Sequence, residues 1–395
     1  MFERTSLGLG LLATSFVACF EPGLDDGDVR CGEAGCPPGL SCAGDGVCRV
    51  STGDTENAVL AVAREGASLQ LWASCDDGIV LAWDLDHVQD ASTIAWGESD
   101  GPEGHRRLAI GSGGEELRVK TIDGDQIQEE FSSWQLRGAR GVSWADYDRD
   151  NDLDLGVSNG MQSVVVLEQR RDGFETEWQA NNMGEPYGVA WGDVDGDGDP
   201  DLAVASGNAR VYRNDGEYFQ DVWSSPAREE RRSVLWADLD RDGDPDLITG
   251  SLAGPVRVHS NNGGVLTETW QSGDVAYVPQ LAAGDVDGDG DLDLAVAGRD
   301  QPSRVYRNDG GTLVPFWTTA APETTASVEW FDVDEDGDLD LTLGNVDEPS
   351  RILRNDRGVL VDWLVLDGIT GVNQLAWQRW SLDGHTPACD VASWR

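Results

Sequence analysis

From about residue 57 onward the chain is a succession of short runs in which apolar and small or polar residues alternate, broken by clusters of Gly, Asn and Asp. A period of two predicts strands with one face turned to a core. The stretch from Gly188 to Trp223 shows the unit. "GVAWGD" at Gly188 to Asp193, "LAVAS" from Leu202, "RVYRN" from Arg210 and "YFQDVW" ending at Trp223 read as four strands. An Asp-rich loop, then "SGNA", then "NDG" at Asn214 to Gly216 separate them, and these turn residues tolerate the positive φ of a tight hairpin.

The unit repeats. One tryptophan series runs Trp96, Trp144, Trp191, Trp236, Trp330 and Trp377, with Ala283 in the gap, at intervals of 45 to 48 residues. A second runs Trp83, Trp134, Trp178, Trp223, Trp270, Trp317 and Trp363, usually 13 residues ahead of the next member of the first. Four antiparallel strands recurring about every 45 residues describe a propeller blade, which must pack against neighbours around an axis. The fold expected is therefore all-β: a seven-bladed β-propeller of four-stranded antiparallel blades.

The repeat region opens on a second-series Trp and closes on a first-series one, so the ring is expected to close across the termini. A strand near Gln374 to Trp377 would pair with strands at Val59 to Ala63, Leu69 to Ala73 and Ile79 to Trp83. Closure removes exposed sheet edges. "DVASW" at Asp390 to Trp394 also resembles a blade strand, which leaves an eighth, partial blade open.

Five of the units carry a chemical signature between their first two strands. These are "DYDRDNDLDL" at Asp146, "DVDGDGDPDL" at Asp193, "DLDRDGDPDL" at Asp238, "DVDGDGDLDL" at Asp285 and "DVDEDGDLDL" at Asp332. Carboxylates at positions 1, 3, 5 and 9, a carbonyl at 7 and a Gly or Asn turn at 6 can converge on one hard cation. The candidate ligands are Asp146, Asp148, Asp150 and Asp154; Asp193, Asp195, Asp197 and Asp201; Asp238, Asp240, Asp242 and Asp246; Asp285, Asp287, Asp289 and Asp293; and Asp332, Asp334, Asp336 and Asp340. A flexible cage of carboxylates favours calcium over magnesium, which keeps several waters, so about five calcium ions are expected. An EF-hand fits less well, because position 12 holds Val157, Val204, Thr249, Val296 and Leu343 rather than Glu.

Composition sharpens this reading. The 395 residues include 73 Asp and Glu against 28 Lys and Arg, a formal charge of −45 that repels phosphate backbones and excludes nucleic acid as a partner. The loops hold 25 Asp, which would repel one another strongly without a cation.

The repeated "DxDxDGDxDL", together with "VYRNDG" at Val211 and Val305, resembles the FG-GAP or VCBS-type repeats of integrin α-subunit propellers and of many secreted bacterial proteins. The resemblance spans roughly residues 57 to 395. It implies a calcium-bound propeller with metals in the hairpin between the first two strands, and binding or structural roles more often than catalysis. The units near Trp96 and Trp377 lack the Asp ladder, and no metal is expected in either.

Ahead of the repeats lie two further segments. Residues 1 to 18 carry Arg4 and an apolar run from Leu7 through Val17, the build of an export signal. Its end, "SFVAC", resembles a bacterial lipobox, which implies lipidation at Cys19 and a membrane anchor, with an outer-membrane or cell-surface location. Residues 19 to 56 hold Cys31, Cys36, Cys42 and Cys48, which read as two disulfides in an oxidising compartment. Their spacings lack a paired CxxC and no His lies nearby, so zinc is the weaker alternative. Cys75 and Cys389 remain, and a bond between them would tie the ring's ends together.

The end of the propeller away from the Asp loops is the variable one. Arg228, Arg231 and Arg232 form a basic island there and can meet an anionic partner or simply local Glu residues; Tyr187, Tyr277 and Met183 fall on the same end. The four His occupy unrelated positions and no nucleophile elbow or HExxH string occurs. The reading is a membrane-anchored, non-enzymatic binding or scaffold module for a protein or glycan. Two alternatives are a secreted polysaccharide lyase or hydrolase built on a calcium propeller, and a purely structural envelope component.

Overall fold

The computed structural model describes residues 40–42, 48–50 and 56–381, the last with short gaps at 76–77, 99–105, 124–125, 161, 172, 217, 227–228 and 274–276. The leader, Cys19, Cys31, Cys36, Arg228, Cys389 and the "DVASW" string lie outside these residues, as does the Cys75 side chain. The chain divides into two compact units, Met1–Thr55 and Glu56–Arg395. Within the first, Leu40–Cys42 and Cys48–Val50 form an antiparallel pair in which Cys42 sits opposite Cys48.

The second unit is a seven-bladed β-propeller. Each blade is built on a four-stranded antiparallel sheet, its strands in chain order from the axis outward except in the blade that closes the ring, and a single short 3-10 turn at Trp134–Leu136 is the only helical element among the described residues. The first strands are Ala91–Glu98, Ala139–Ala145, Val189–Gly192, Arg231–Ala237, Leu281–Gly284, Glu323–Phe331 and Val372–Ser381. They touch one another in sequence all the way round, so they line the axis. The seventh blade joins both ends of the repeat region. Val372–Ser381 pairs along Glu56–Arg64, which pairs with Ser68–Cys75, which pairs with Gly78–Gln89. These are the strands the Trp phasing anticipates, and the described residues make seven blades.

A blade's faces are hydrophobic because each is buried against its neighbour. Val59, Leu69 and Leu71 of the closing blade meet Ile94 and Leu108 of the next, and on the other side Leu60 and Leu375 meet Val333 and Ile352. The first-series tryptophans lock these interfaces. Trp144 Nε1 donates to the Ala95 carbonyl at 3.0 Å, Trp191 Nε1 to Ser143 at 3.0 Å and Trp96 Nε1 to Ala376 at 3.0 Å, in each case in the preceding blade. The indole lies against a glycine of that blade. A Cβ on Gly192 would come within 2.5 Å of Trp236, so only glycine admits the ring.

Two local expectations change. Trp134 is not in a fourth strand but in the 3-10 turn behind it, 57 % exposed, and Phe131 occupies the strand position opposite Val119 that Trp178 holds opposite Val166. The four-strand expectation also gives way once: Arg299–Gln301, between two strands of the fifth blade, adds to the free edge of Glu323–Phe331 and gives the sixth blade a fifth strand.

Candidate metal centres and an axial cup

Each Asp loop leaves the C-terminal end of a first strand, and its two apolar anchors are buried. These are Tyr147, Val194, Leu239, Val286 and Val333 at position 2, and Leu155, Leu202, Leu247, Leu294 and Leu341 at position 10. Backbone amides wrap the carboxylates between those anchors. Position 1 accepts from the position 6 amide at 2.8 to 3.2 Å, and position 5 accepts from the position 7 amide at 2.8 to 3.0 Å. Position 6 has positive φ in all five loops, at Asn151, Gly198, Gly243, Gly290 and Gly337. A second left-handed residue at position 4, which sequence reasoning missed, is Arg149, Gly196, Arg241, Gly288 and Glu335.

The loops bring carboxylate oxygens to within 4.8 Å of one another. The sets are Asp146, Asp148 and Asp154; Asp193, Asp195 and Asp197; Asp238, Asp240 and Asp242; Asp285, Asp287 and Asp289; and Asp332, Asp334 and Asp336. Three of the position 1 oxygens, Asp146 Oδ1, Asp238 Oδ1 and Asp332 Oδ1, are buried without any hydrogen-bond partner. An acceptor-only atom in that state fits a cation rather than a protein donor. In the other two loops Gly196 and Gly288 donate to this oxygen instead, because Gly at position 4 lets the amide swing inward. Burial, reinforced by neighbouring carboxylates, pushes Asp334 up to about 6. A divalent ion would reverse that balance.

Position 9 does a second job. Both oxygens of Asp201 accept backbone N–H groups, from Val194 at 2.6 Å and Asn214 at 2.7 Å, and Asp154, Asp246, Asp293 and Asp340 repeat the arrangement. Burial raises Asp154, Asp201 and Asp340 to about 7, and Asp246 and Asp293 to about 6. These side chains brace the loop against the third strand, and only Asp154 also joins a cluster of three. Asp150, at position 5 of the first loop, stays exposed outside its trio.

Contacts between blades hold the loops in register. The Asn that ends a third strand reaches back to the position 2 carbonyl of the preceding loop: Asn214 to Tyr147, Asn261 to Val194, Asn308 to Leu239 and Asn355 to Val286, at 2.6 to 2.8 Å. Arginines at position 4 clamp the next loop. Arg149 meets Asp199 at 2.7 Å and the Asp197 carbonyl at 2.8 Å, and Arg241 meets Asp291 at 2.8 Å. The arginine lies over the position 6 glycine, where a Cβ on Gly198 would come within 2.3 Å of the Arg149 guanidinium.

At the other end of the first strands the seven blades converge on a cavity of about 400 Å³. Ser92, Gly141, Gly188, Ser233, Gln280, Ala326 and Gln374 each mark one blade's contribution. Arg140, Arg232, Arg299, Tyr187 and Tyr277 stand round it. The basic island expected from sequence is dispersed. Arg231 is 1 % exposed and tied to Glu229 at 2.9 Å and Thr249 at 3.0 Å, whereas Arg232 enters the cup. Met183 is core, its sulfur accepting the Tyr212 hydroxyl at 2.9 Å. Of the histidines, His259 is buried beside Trp223, and burial together with Arg231 and Arg257 pulls it down to about 4, so it stays neutral.

The Asp ladder, its flanking strands and the propeller agree with the sequence comparison: residues 146–204, 193–249, 238–296 and 285–343 match the FG-GAP-like repeat. The chain belongs to the FG-GAP-like repeat family. No curated protein matches the sequence. Similar solved structures include two proteins named as candidate 6-phosphogluconolactonases. One, from Bacteroides uniformis, has 12 % identity and TM-score 0.61, covering 82 % of this chain and 99 % of its own. The other, from Bacteroides fragilis, has 12 % identity and TM-score 0.61, covering 84 % and 100 %. The periplasmic gluconolactonase PpgL of Pseudomonas aeruginosa has 18 % identity and TM-score 0.62, covering 82 % and 98 %. At such identities the likeness is one of fold. It nonetheless corrects the expectation of a chain without enzymatic activity, since propellers of this architecture carry enzyme names and the missing nucleophile motifs do not exclude catalysis.

Proposed function

We propose that the protein is an exported, calcium-braced propeller that takes a carbohydrate-type substrate into its axial cup and cleaves it, as a secreted hydrolase or lyase. The observation that carries this reading is the cup itself. All seven blades end there, and it is a concave site with convergent polar groups of the size that holds small ligands. The enzyme names of the propellers with the same architecture favour a reaction on a sugar derivative over passive scaffolding. Calcium would serve at the opposite end as a structural ion: the Asp loops lie at the far ends of the first strands, so a metal there shapes the ring without touching substrate. The lipobox-like leader and the cysteine-rich segment support a site of action outside the cytoplasm, and in this reading Cys19 would carry the anchor to a bacterial membrane.

The test is turnover. Calcium-loaded protein is offered sugar lactones, neutral polysaccharides and polyuronates while proton release, reducing ends and ultraviolet-absorbing unsaturated products are followed. Turnover of one class, abolished by bulky substitutions at Gly188 or Ser233 in the cup, supports the proposal. Absence of turnover on all three classes overturns it.

A further inference from the structure

Half of the cup's rim is a continuous stack of alternating guanidinium and phenol groups. The Arg140 Cζ lies 4.5 Å from the centroid of the Tyr187 ring, and the Arg232 Cζ lies 3.6 Å from the same ring. The Arg232 Cζ also lies 5.9 Å from the Tyr277 ring, which the Arg299 Cζ approaches to 5.5 Å. Five segments bring these groups together: the entries to the second and fourth blades' first strands carry Arg140 and Arg232, the connections ahead of the third and fifth carry Tyr187 and Tyr277, and the added strand Arg299–Gln301 carries the last arginine.

The charge balance here opposes that of the whole chain. Among the described residues one carboxylate meets the stack, Glu185, which pairs with Arg140 at 3.3 Å and accepts the Tyr187 hydroxyl at 3.0 Å. Arg232 and Arg299 have no ion-pair partner among the described residues, and no carboxylate lines the cavity. Arg232 Nε is buried without a hydrogen-bond partner. In a protein of charge −45, acids were available to neutralise these guanidiniums, as Glu229 does for Arg231 and Arg257 close by. A desolvated, unpaired guanidinium is costly unless an anion meets it. The phenol rings flank the guanidiniums, and those of Arg232 and Arg299, unlike that of Arg140, are not claimed by a carboxylate among the described residues; a guanidinium of this kind can receive an oxyanion two bonds at a time.

The surroundings suit the rest of such a ligand. Gln280 and Gln374 use their Oε1 atoms to receive the Val328 and Ile94 amides of the neighbouring blades, which leaves the Nε2 donors for ligand hydroxyls. Tyr187 and Arg232 also line a second hollow of about 630 Å³, bounded by Asn182, Asn208 and Arg210 but also by Glu185 and Glu230, so a longer ligand has room to continue there with its hydroxyls rather than with a further anionic group.

We infer that the axial cup is an oxyanion site. It takes a sugar-sized molecule bearing a carboxylate or phosphate, with Arg232, held between Tyr187 and Tyr277, as the anchoring contact. The inference rests on the cup being the substrate site and specifies the class of substrate: an acidic saccharide or a sugar phosphate.

The experiment is calorimetric titration of the calcium-replete protein with oligogalacturonate, with glucose 6-phosphate and with a neutral galacto-oligosaccharide, at low and at moderate salt. One or both anions should bind at least tenfold more tightly than the neutral sugar, with affinity falling as salt rises, and the better anion identifies the source of the charge. Arg232→Gln should weaken that anion at least tenfold. Arg232→Lys should recover only part of the loss, since it keeps the charge and not the plane. Arg299→Gln, at the rim on the added strand, gives an independent loss if Arg232 variants unfold, and Arg118→Gln, paired with Glu116 and Glu129 away from the cup lining, should leave affinity unchanged. Equal affinity for the neutral sugar, no detectable anion binding, or undiminished binding in Arg299→Gln and folded Arg232→Gln overturns the inference. Turnover of neutral substrates without anion preference would sink this inference and spare the proposed activity; anion binding without turnover would do the reverse.

Discussion

Replacing Asn308 by Ala tests whether the blade-to-blade latches hold the ring together. Asn308 is completely buried. Its Nδ2 donates to the Leu239 carbonyl of the preceding loop at 2.6 Å and to the Leu292 carbonyl of its own at 3.2 Å, and its Oδ1 accepts the Gly311 amide at 2.8 Å. Alanine removes three hydrogen bonds, each worth about 1 kcal/mol net, and strands buried partners at about 1 to 3 kcal/mol. The expected loss is about 3 to 5 kcal/mol, a large share of the roughly 5 to 15 kcal/mol that holds a domain folded. Urea unfolding in saturating calcium reads this as a lower midpoint at constant slope. Asn308→Asp should be at least as damaging, because it sets a carboxylate against two carbonyl oxygens. A loss below about 1 kcal/mol for Asn308→Ala would refute the view that these asparagines transmit stability from blade to blade.

Three further outcomes are expected. Thorough chelation should lower the melting temperature markedly, since each independent site contributes about 2.7 kcal/mol when free calcium stands a hundredfold above its dissociation constant; an unchanged melting curve contradicts the metal reading. Arg241→Ala should weaken calcium binding at the Asp285 loop and spare the Asp193 loop, whereas Arg149→Ala should do the opposite, as followed by calcium titration of each variant; equal effects on both loops would show that the clamps are not local. Glu329 sits on a first strand with the Trp377 amide 3.5 Å from its Oε1, and burial pushes it up to about 8 from an ordinary 4.5. The unfolded chain gives up this proton first, so stability is lost as pH rises from about 4.5 to about 8. Glu329→Gln should flatten that part of the melting-temperature profile, and an unaltered slope would refute the assignment.

The ring and its closure were legible in the sequence because tryptophan phasing and the Asp ladder recur at one period. A Trp must lie at a fixed strand position to pack into the preceding blade, and that requirement is written at six of the seven positions, with Ala283 as the exception; Trp96, Trp144 and Trp191 also reach a carbonyl there. Trp134 misleads for the same reason: the interval counts it in, but Phe131 has taken its place in the strand. The cup was hardly legible. Arg140, Tyr187 and Arg232 share one offset, four residues before Trp144, Trp191 and Trp236, but the residue type changes from repeat to repeat and Tyr277 and Arg299 lie off that offset, so only the closed ring shows them as one group. Adjacent arginines in the chain suggested one basic island, yet strand alternation sends Arg231 into the interface and Arg232 into the cavity. Position 9 of the loops was read as a ligand alone, because nothing local announces that the third strand's amide will find it.

The seam between Glu56–Arg64 and Val372–Ser381 sets the order in which the molecule can be made. The strand at Glu56–Arg64 emerges among the first of the repeat region, and its partner among the last. Throughout synthesis that early strand carries an open ladder of amides and carbonyls, able to recruit the wrong neighbour. Completion is then a single late event that pairs this edge, and a chain truncated before residue 372 would keep every other blade and still be prone to stick to its copies.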